Sequence, residues 1–126
     1  MKLLLDTHAL LWALASPKKL PPKLVTQLEN PGTSAFISAA STWEIAIKTG
    51  IGKLVADLEE IVAEARSLGF IEIGVSIAHT VRLGTLPLHH RDPFDRVLIA
   101  QAIEDGLTLV SRDPVFRSYG VATIWG

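Results

Sequence analysis

Two rhythms of apolar and polar residues take turns along the chain: short apolar runs, and longer stretches with apolar residues three and four apart. Lys2 to Leu5 is a leucine run stopped by Asp6 and predicts a strand; Thr7 to Ala15, too densely apolar for a surface helix, predicts a well-buried one. Pro17, Pro21 and Pro22 punctuate the next stretch, and Lys23 to Glu29 carries Leu24, Val25 and Leu28 at helical spacing before Asn30-Pro31-Gly32 ends it. Ala35 to Ser38 reads as a strand. From Ser41 the pattern is helical, with Trp43, Ile45, Ala46 and Ile47 ahead of Gly50 and Gly52. Leu58 to Leu68 predicts an amphipathic helix closed by Gly69, Phe70 to Val75 a strand, Ser76 to Leu83 a short helix, and Gly84 to Arg91 a polar loop. Pro93 opens a clear helix that ends at Gly106. Leu107 to Ser111 then reads as a strand, Pro114 to Tyr119 as a helical turn and Val121 to Trp125 as a last strand. Strands alternating with helices predict βαβ units, hence an α/β chain with a mainly parallel sheet covered on both faces.

Composition narrows the chemistry. With 126 residues, 48% of them hydrophobic, the chain has the size and apolar content of one domain, residues 1–126. Thirteen acidic and twelve basic residues leave a formal net charge of -1, so no global basic excess exists to hold nucleic acid by charge alone. The absence of cysteine excludes a disulfide framework, a thiolate zinc site and a cysteine nucleophile, and suits a reducing cytoplasm. Asp6 and His8 interrupt the apolar N-terminal stretch, which argues against a secretory signal despite the Ala-x-Ala of Ala13 to Ala15. No segment has the length of a membrane span.

Four acids carry the candidate chemistry. Asp6 follows the first strand and Asp113 follows the strand Leu107 to Ser111, so both are expected at the carboxyl edge of the sheet, where ligand crevices form. Glu44 and Asp95 are expected in the first turns of their helices, pointing back to the same crevice. Taken singly, each acid has a capping explanation. Asp6 and Asp113 fit N-caps, Ser41-Thr42-Trp43-Glu44 fits a capping box, and Asp92-Pro93-Phe94-Asp95 fits the same geometry. Capping does not require four carboxylates to converge, however, and their repulsion in a partly desolvated cleft calls for a cation. An all-oxygen ligand set selects Mg²⁺ or Mn²⁺, which also binds substrate phosphate.

The order Leu-Leu-Leu-Asp6-Thr7, Trp43-Glu44-Ile45, Asp95 leading into Leu98-Ile99-Ala100-Gln101-Ala102, and Leu109-Val110-Ser111-Arg112-Asp113 resembles PIN-domain nucleases, especially toxins of VapBC-type toxin–antitoxin pairs. The resemblance spans essentially the whole chain. It implies a three-layer α/β/α fold and an Mg²⁺- or Mn²⁺-dependent endoribonuclease in which Asp6 and Asp95 are direct metal ligands and Glu44 and Asp113 complete the pocket. It further implies a homodimer and a cognate antitoxin that covers the acidic groove. Asp92 is kept as a helix cap. Ser111 stands where many relatives carry threonine, and its hydroxyl can still meet a ligand water or phosphate.

Setting the four acids aside turns the net charge of -1 into +3, a modest attraction for a phosphate backbone. Thr7, Arg91, Arg96, Ser111 and Arg112 are candidate phosphate contacts, although each arginine equally fits a solvated side chain or a carboxylate partner. His89 and His90 precede the Asp95 helix, where loop histidines are usually inert, and His8 is expected to be packed or hydrogen-bonded near the site. Trp12, Trp43 and Trp125 read as core or interface anchors rather than base-stacking platforms. The first helix and Pro17 to Leu28 are candidate docking surfaces. Two rival functions remain at this stage. A phosphoacceptor signalling module wants adjacent acids after the first strand and a late lysine, where this chain has Asp6-Thr7 and Ser111-Arg112-Asp113; a non-catalytic binding domain keeps the acids as caps, and metal affinity separates it.

Overall fold

Leu3, Leu4 and Leu5 are all fully buried, because successive side chains of a strand face opposite ways and both faces of this strand are covered. Leu3 and Leu5 join one apolar cluster and Leu4 joins another. The computed structural model describes residues 1–125. Its strands are β1 (Lys2–Leu5), β2 (Ser34–Ser38), β3 (Ile71–Ile73), β4 (Thr108–Val110) and β5 (Thr123–Ile124). Its helices are α1 (Thr7–Ala15), α2 (Pro22–Glu29), α3 (Ala39–Gly50), α4 (Leu58–Ser67), α5 (Ile77–Gly84) and α6 (Pro93–Asp105), with 3-10 turns at Pro17–Lys19 and Pro114–Tyr119. All strand pairs are parallel, in the order β3-β2-β1-β4-β5.

The resulting fold is the expected three-layer α/β/α arrangement. On one face α1, α2 and α4 supply Leu10, Leu24 and Ala65 to the cluster with Leu3 and Leu5. On the other, Leu98, Ile99 and Ala102 of α6 pack with Leu4, Leu109 and Phe116. α6 begins at Pro93 behind an Asp92 cap and ends on Gly106, whose φ of 67° is a left-handed conformation that favours glycine.

Departures from expectation have local causes. α3 starts at Ala39 rather than Ser41, because Ser38 caps it by accepting the Ala40 N–H at 3.0 Å and Ala39 and Ala40 are strong helix formers. β3 and β5 are shorter than their apolar runs, since each sits at a sheet edge and pairs on one side only. Trp43 is not a core residue; it is exposed and rests edge-on against Phe94.

Gln101 of α6 is fully buried, accepts the Ser38 hydroxyl at 2.5 Å and donates to the Gly74 carbonyl at 3.1 Å, tying α6 to β2 and to the segment after β3. Gln101→Leu removes both hydrogen bonds and leaves the Ser38 hydroxyl and the Gly74 carbonyl without this partner, so urea denaturation should show a loss of about 1–3 kcal/mol.

Candidate active site

Because every strand is parallel, every carboxyl end lies at one edge. The chain runs from β1 to β2 and β3 on one side and returns through β4 and β5 on the other, which opens a crevice between β1 and β4. Asp6 is the residue after β1, and its N–H donates to the Val110 carbonyl at 3.1 Å, which places it beside the end of β4. Asp113 follows β4 and caps the Pro114–Tyr119 turn by accepting the Val115 N–H at 3.0 Å. Asp6 likewise caps α1, accepting from Ala9 N at 2.8 Å.

Asp6 is only 6% exposed. Burial raises its pKa above the usual carboxylate value, against hydrogen bonds from Ser111 and the Ala9 N–H and the favourable field of His8; Asp113 adds to the rise. Glu44 is also buried, but it lies in the second turn of α3, not the first, and does not form the expected capping box with Ser41. Its Oε1 stands 2.6 Å from the Thr7 hydroxyl, which also lies 3.2 Å from Ser41 Oγ, and its Oε2 accepts from Lys48 Nζ at 2.6 Å. The Glu44 hydrogen bond raises the Lys48 pKa, with smaller contributions from the charges of Glu44, Asp92 and Asp95. Lys48 is the cation that sequence reasoning passed over, although Glu44 and Lys48 have the spacing of helix neighbours. Since Lys48 is partly exposed, Lys48→Met should reduce stability by about 1 kcal/mol, and by less at high salt. Thermal melts at two ionic strengths check this.

Asp92 caps α6 as expected, its Oδ1 accepting from Phe94 N at 2.9 Å and from Asp95 N at 3.3 Å. Asp95 does not return the bond to the cap; its Oδ2 lies 2.8 Å from His90 Nε2. Desolvation pushes the Asp95 pKa up to about 6, opposed by His90 and helped by the negative charges of Asp92, Asp6 and Glu44. The acids therefore share one electrostatic field. His90 is held in place from afar: its backbone N–H donates to Tyr119 Oη at 2.8 Å, and its ring meets Phe116 edge-on. A loop histidine read as inert is thus a built part of the site.

Among the described residues, His90, Asp95 and Asp113 each offer a ligand atom lying within 4.8 Å of the others, a grouping compatible with one divalent cation after small adjustments. Carboxylate donors without sulfur fit a hard divalent ion such as Mg²⁺ or Mn²⁺, and the imidazole favours Mn²⁺ of the two. Asp6 and Glu44 stand outside that group, engaged with the Ala9 N–H and with Thr7 and Lys48 respectively.

The flanking residues divide by their contacts. Arg96 donates to the Pro87 carbonyl at 2.9 Å and to Tyr119 Oη at 3.3 Å, fixing the loop that bears His90. Arg112 lies over the Trp12 ring at 4.8 Å, while Arg91 is exposed. Ser111 Oγ is buried and accepts the Asp113 N–H at 3.1 Å. His8 is exposed rather than packed. His89 is exposed, with its ring edge-on to Tyr119.

The fold has known counterparts. The PIN domain profile matches residues 3–122, nearly the entire chain. The chain belongs to the PIN domain family. It is 31% identical over 133 aligned positions to Ribonuclease VapC22 of Mycobacterium tuberculosis, with 97% of each chain covered. The PIN fold is also evident in solved structures: VapBC2 from Rickettsia felis bound to a promoter DNA fragment (TM-score 0.71, 19% identity, 100% of both chains) and DNA-bound VapBC from Salmonella typhimurium (TM-score 0.71, 16% identity, 98% and 97%).

Proposed function

We propose that this PIN domain chain is a single-domain, Mg²⁺- or Mn²⁺-dependent endoribonuclease acting as the cytoplasmic toxin of a toxin–antitoxin pair. The observation that carries the reading is the gathering of carboxylates at one sheet edge: Asp6 and Glu44 are buried, with Thr7 linking them, and Asp95 and Asp113 bring ligand atoms within 4.8 Å of each other and of His90. Helix capping does not call for that accumulation of buried negative charge, and a cation relieves it. Asp95 and Asp113 would hold the ion with the His90 imidazole as a third donor and Asp6 beside them, and Glu44 would orient a water. When bound, the cation supplies a Lewis acid for a phosphate oxygen and a lowered pKa for water. Thr7 and Lys48 hold Glu44 in place, His90 pairs with Asp95, and Ser111 steadies Asp6 and Asp113.

The antitoxin has a surface to occupy. A groove of about 960 Å³ runs between α1, α3 and α4, lined by Leu11, Leu14, Leu54 and Ile61 and reaching Glu44 and Lys48. An amphipathic antitoxin segment lying there would cover Glu44 at the edge of the site. Of the Pro17 to Leu28 segment only Lys19 lines it. Ile77 and Val81, 83% and 66% exposed on α5, suit a second copy of the chain in a homodimer.

Purified protein should cut a mixed RNA pool with Mg²⁺ or Mn²⁺ and stop with EDTA. Cleavage that persists in EDTA, or no cleavage with either metal, contradicts the reading.

A further inference from the structure

A second cavity, of about 260 Å³, opens beside the acids. Asp6 and Asp113 line it together with Trp12, Trp125, Pro114 and Arg112. The sequence placed the tryptophans in apolar surroundings, away from basic groups. Trp12 departs from that expectation. The Arg112 guanidinium lies 4.8 Å from its ring centroid, the Lys19 ammonium 5.4 Å, and the Trp125 ring 5.8 Å away at a 57° tilt. A half-buried indole flanked by two cations is not a plain core side chain.

We propose that this cavity is a nucleobase subsite, taking the base of the nucleotide next to the scissile phosphate. The proposal rests on the nuclease reading. Three features select that ligand. The volume lies below the range of drug-sized pockets, which suits one small planar ring system. Its walls combine an indole, a proline ring and a guanidinium plane, surfaces on which a base stacks. Asp6 and Asp113 belong both to the cavity and to the candidate hydrolytic centre, so a phosphate held at the acids brings its own nucleoside to this opening. A purely apolar side chain is disfavoured by the two carboxylates that line the cavity. The base must be unpaired to enter, which directs the enzyme to single-stranded or looped RNA. Arg112 is thereby a specificity residue: the plane of its guanidinium is a stacking surface for the base, and its in-plane donors stay free for the sugar or phosphate beside it.

The test measures binding separately from cleavage. A trinucleotide with 2-aminopurine at its centre and uncleavable phosphorothioate linkages is titrated into wild-type protein with Mg²⁺, beside the same trinucleotide with an abasic centre. The fluorescent base should be quenched on binding, and the abasic form should bind about tenfold more weakly. Trp12→Leu and Arg112→Gln should each weaken the aminopurine trinucleotide by about tenfold and leave the abasic one unchanged. Trp12 also packs against the core, so the exposed Arg112 variant decides if Trp12→Leu fails to fold. Equal affinity for the two trinucleotides, or Arg112→Gln with full affinity and full quenching, overturns the subsite. The cleavage assay keeps the two readings apart: RNA cut with no effect of Arg112→Gln on the base preferred beside the cut removes the subsite alone. Should no RNA be cut, the nuclease reading falls, and the trinucleotide titration still decides the base site.

Discussion

Asp95→Asn is expected to lower metal-dependent RNA cleavage by more than about a hundredfold while making the metal-free protein more stable at neutral pH. Asparagine keeps the shape but removes the charge that the cation needs. The stability gain follows from linkage. Burial pushes the folded-state pKa of Asp95 up to about 6 from an ordinary 3.8, so the fold disfavours the ionised form. Below pH 4 the group is protonated in both folded and unfolded chains, and this penalty vanishes. As pH rises through 6 the folded protein must ionise it, and the stability held by the protonated form is lost. A displacement of that size is worth at most about 3 kcal/mol at pH 7.5, part of which the lost His90 pairing offsets, leaving a gain of about 1–3 kcal/mol. Melts in EDTA should therefore place Asp95→Asn above wild type at pH 7.5 and level with it near pH 4. A fully active variant removes the ligand role; one that is less stable at pH 7.5 removes the electrostatic account.

Phe116→Ala is expected to destabilise the protein by about 3–5 kcal/mol, a large part of the stability of a domain this size. Phe116 is 1% exposed and packs in the cluster of Leu4, Leu98 and Leu109. It also sits in the turn that Asp113 caps, and its ring meets His90 edge-on. The same cavity should thus loosen the site, lowering metal affinity in protein that is still folded. Urea denaturation with an unchanged slope and a displaced midpoint would show it. A loss under 1 kcal/mol would mean that this layer of the core is not load-sharing with the sheet.

The helix from Pro93 to Gly106 was legible because proline, an aspartate cap and glycine mark its ends chemically. β1 and α1 were legible because Asp6 interrupts an otherwise continuous apolar stretch. The start of α3 was not legible, since Ser38 and Ser41 both look like caps and both are buried, and only the Ala40 N–H donated to Ser38 Oγ separates them. Strand lengths at the edges depend on pairing, which periodicity does not encode. At the site, the four acids stood out by their positions after strands and at helix starts. His90 did not, because its placement depends on Tyr119, 29 residues later, and on Arg96 holding the loop. Nor did Trp12, whose cationic neighbours arrive from Lys19 and Arg112 only once the chain is folded.

Whether the acids form a metal centre or merely cap helices is decided most directly by calorimetric titration of Mg²⁺ and Mn²⁺ into wild-type protein and Asp95→Asn. A metal centre predicts one saturable divalent ion per chain, tighter for Mn²⁺ than for Mg²⁺ because His90 brings an imidazole to the group, and lost in the variant. No saturable binding to the wild type, or binding undiminished in Asp95→Asn, would contradict it and return the four carboxylates to the ends of their helices.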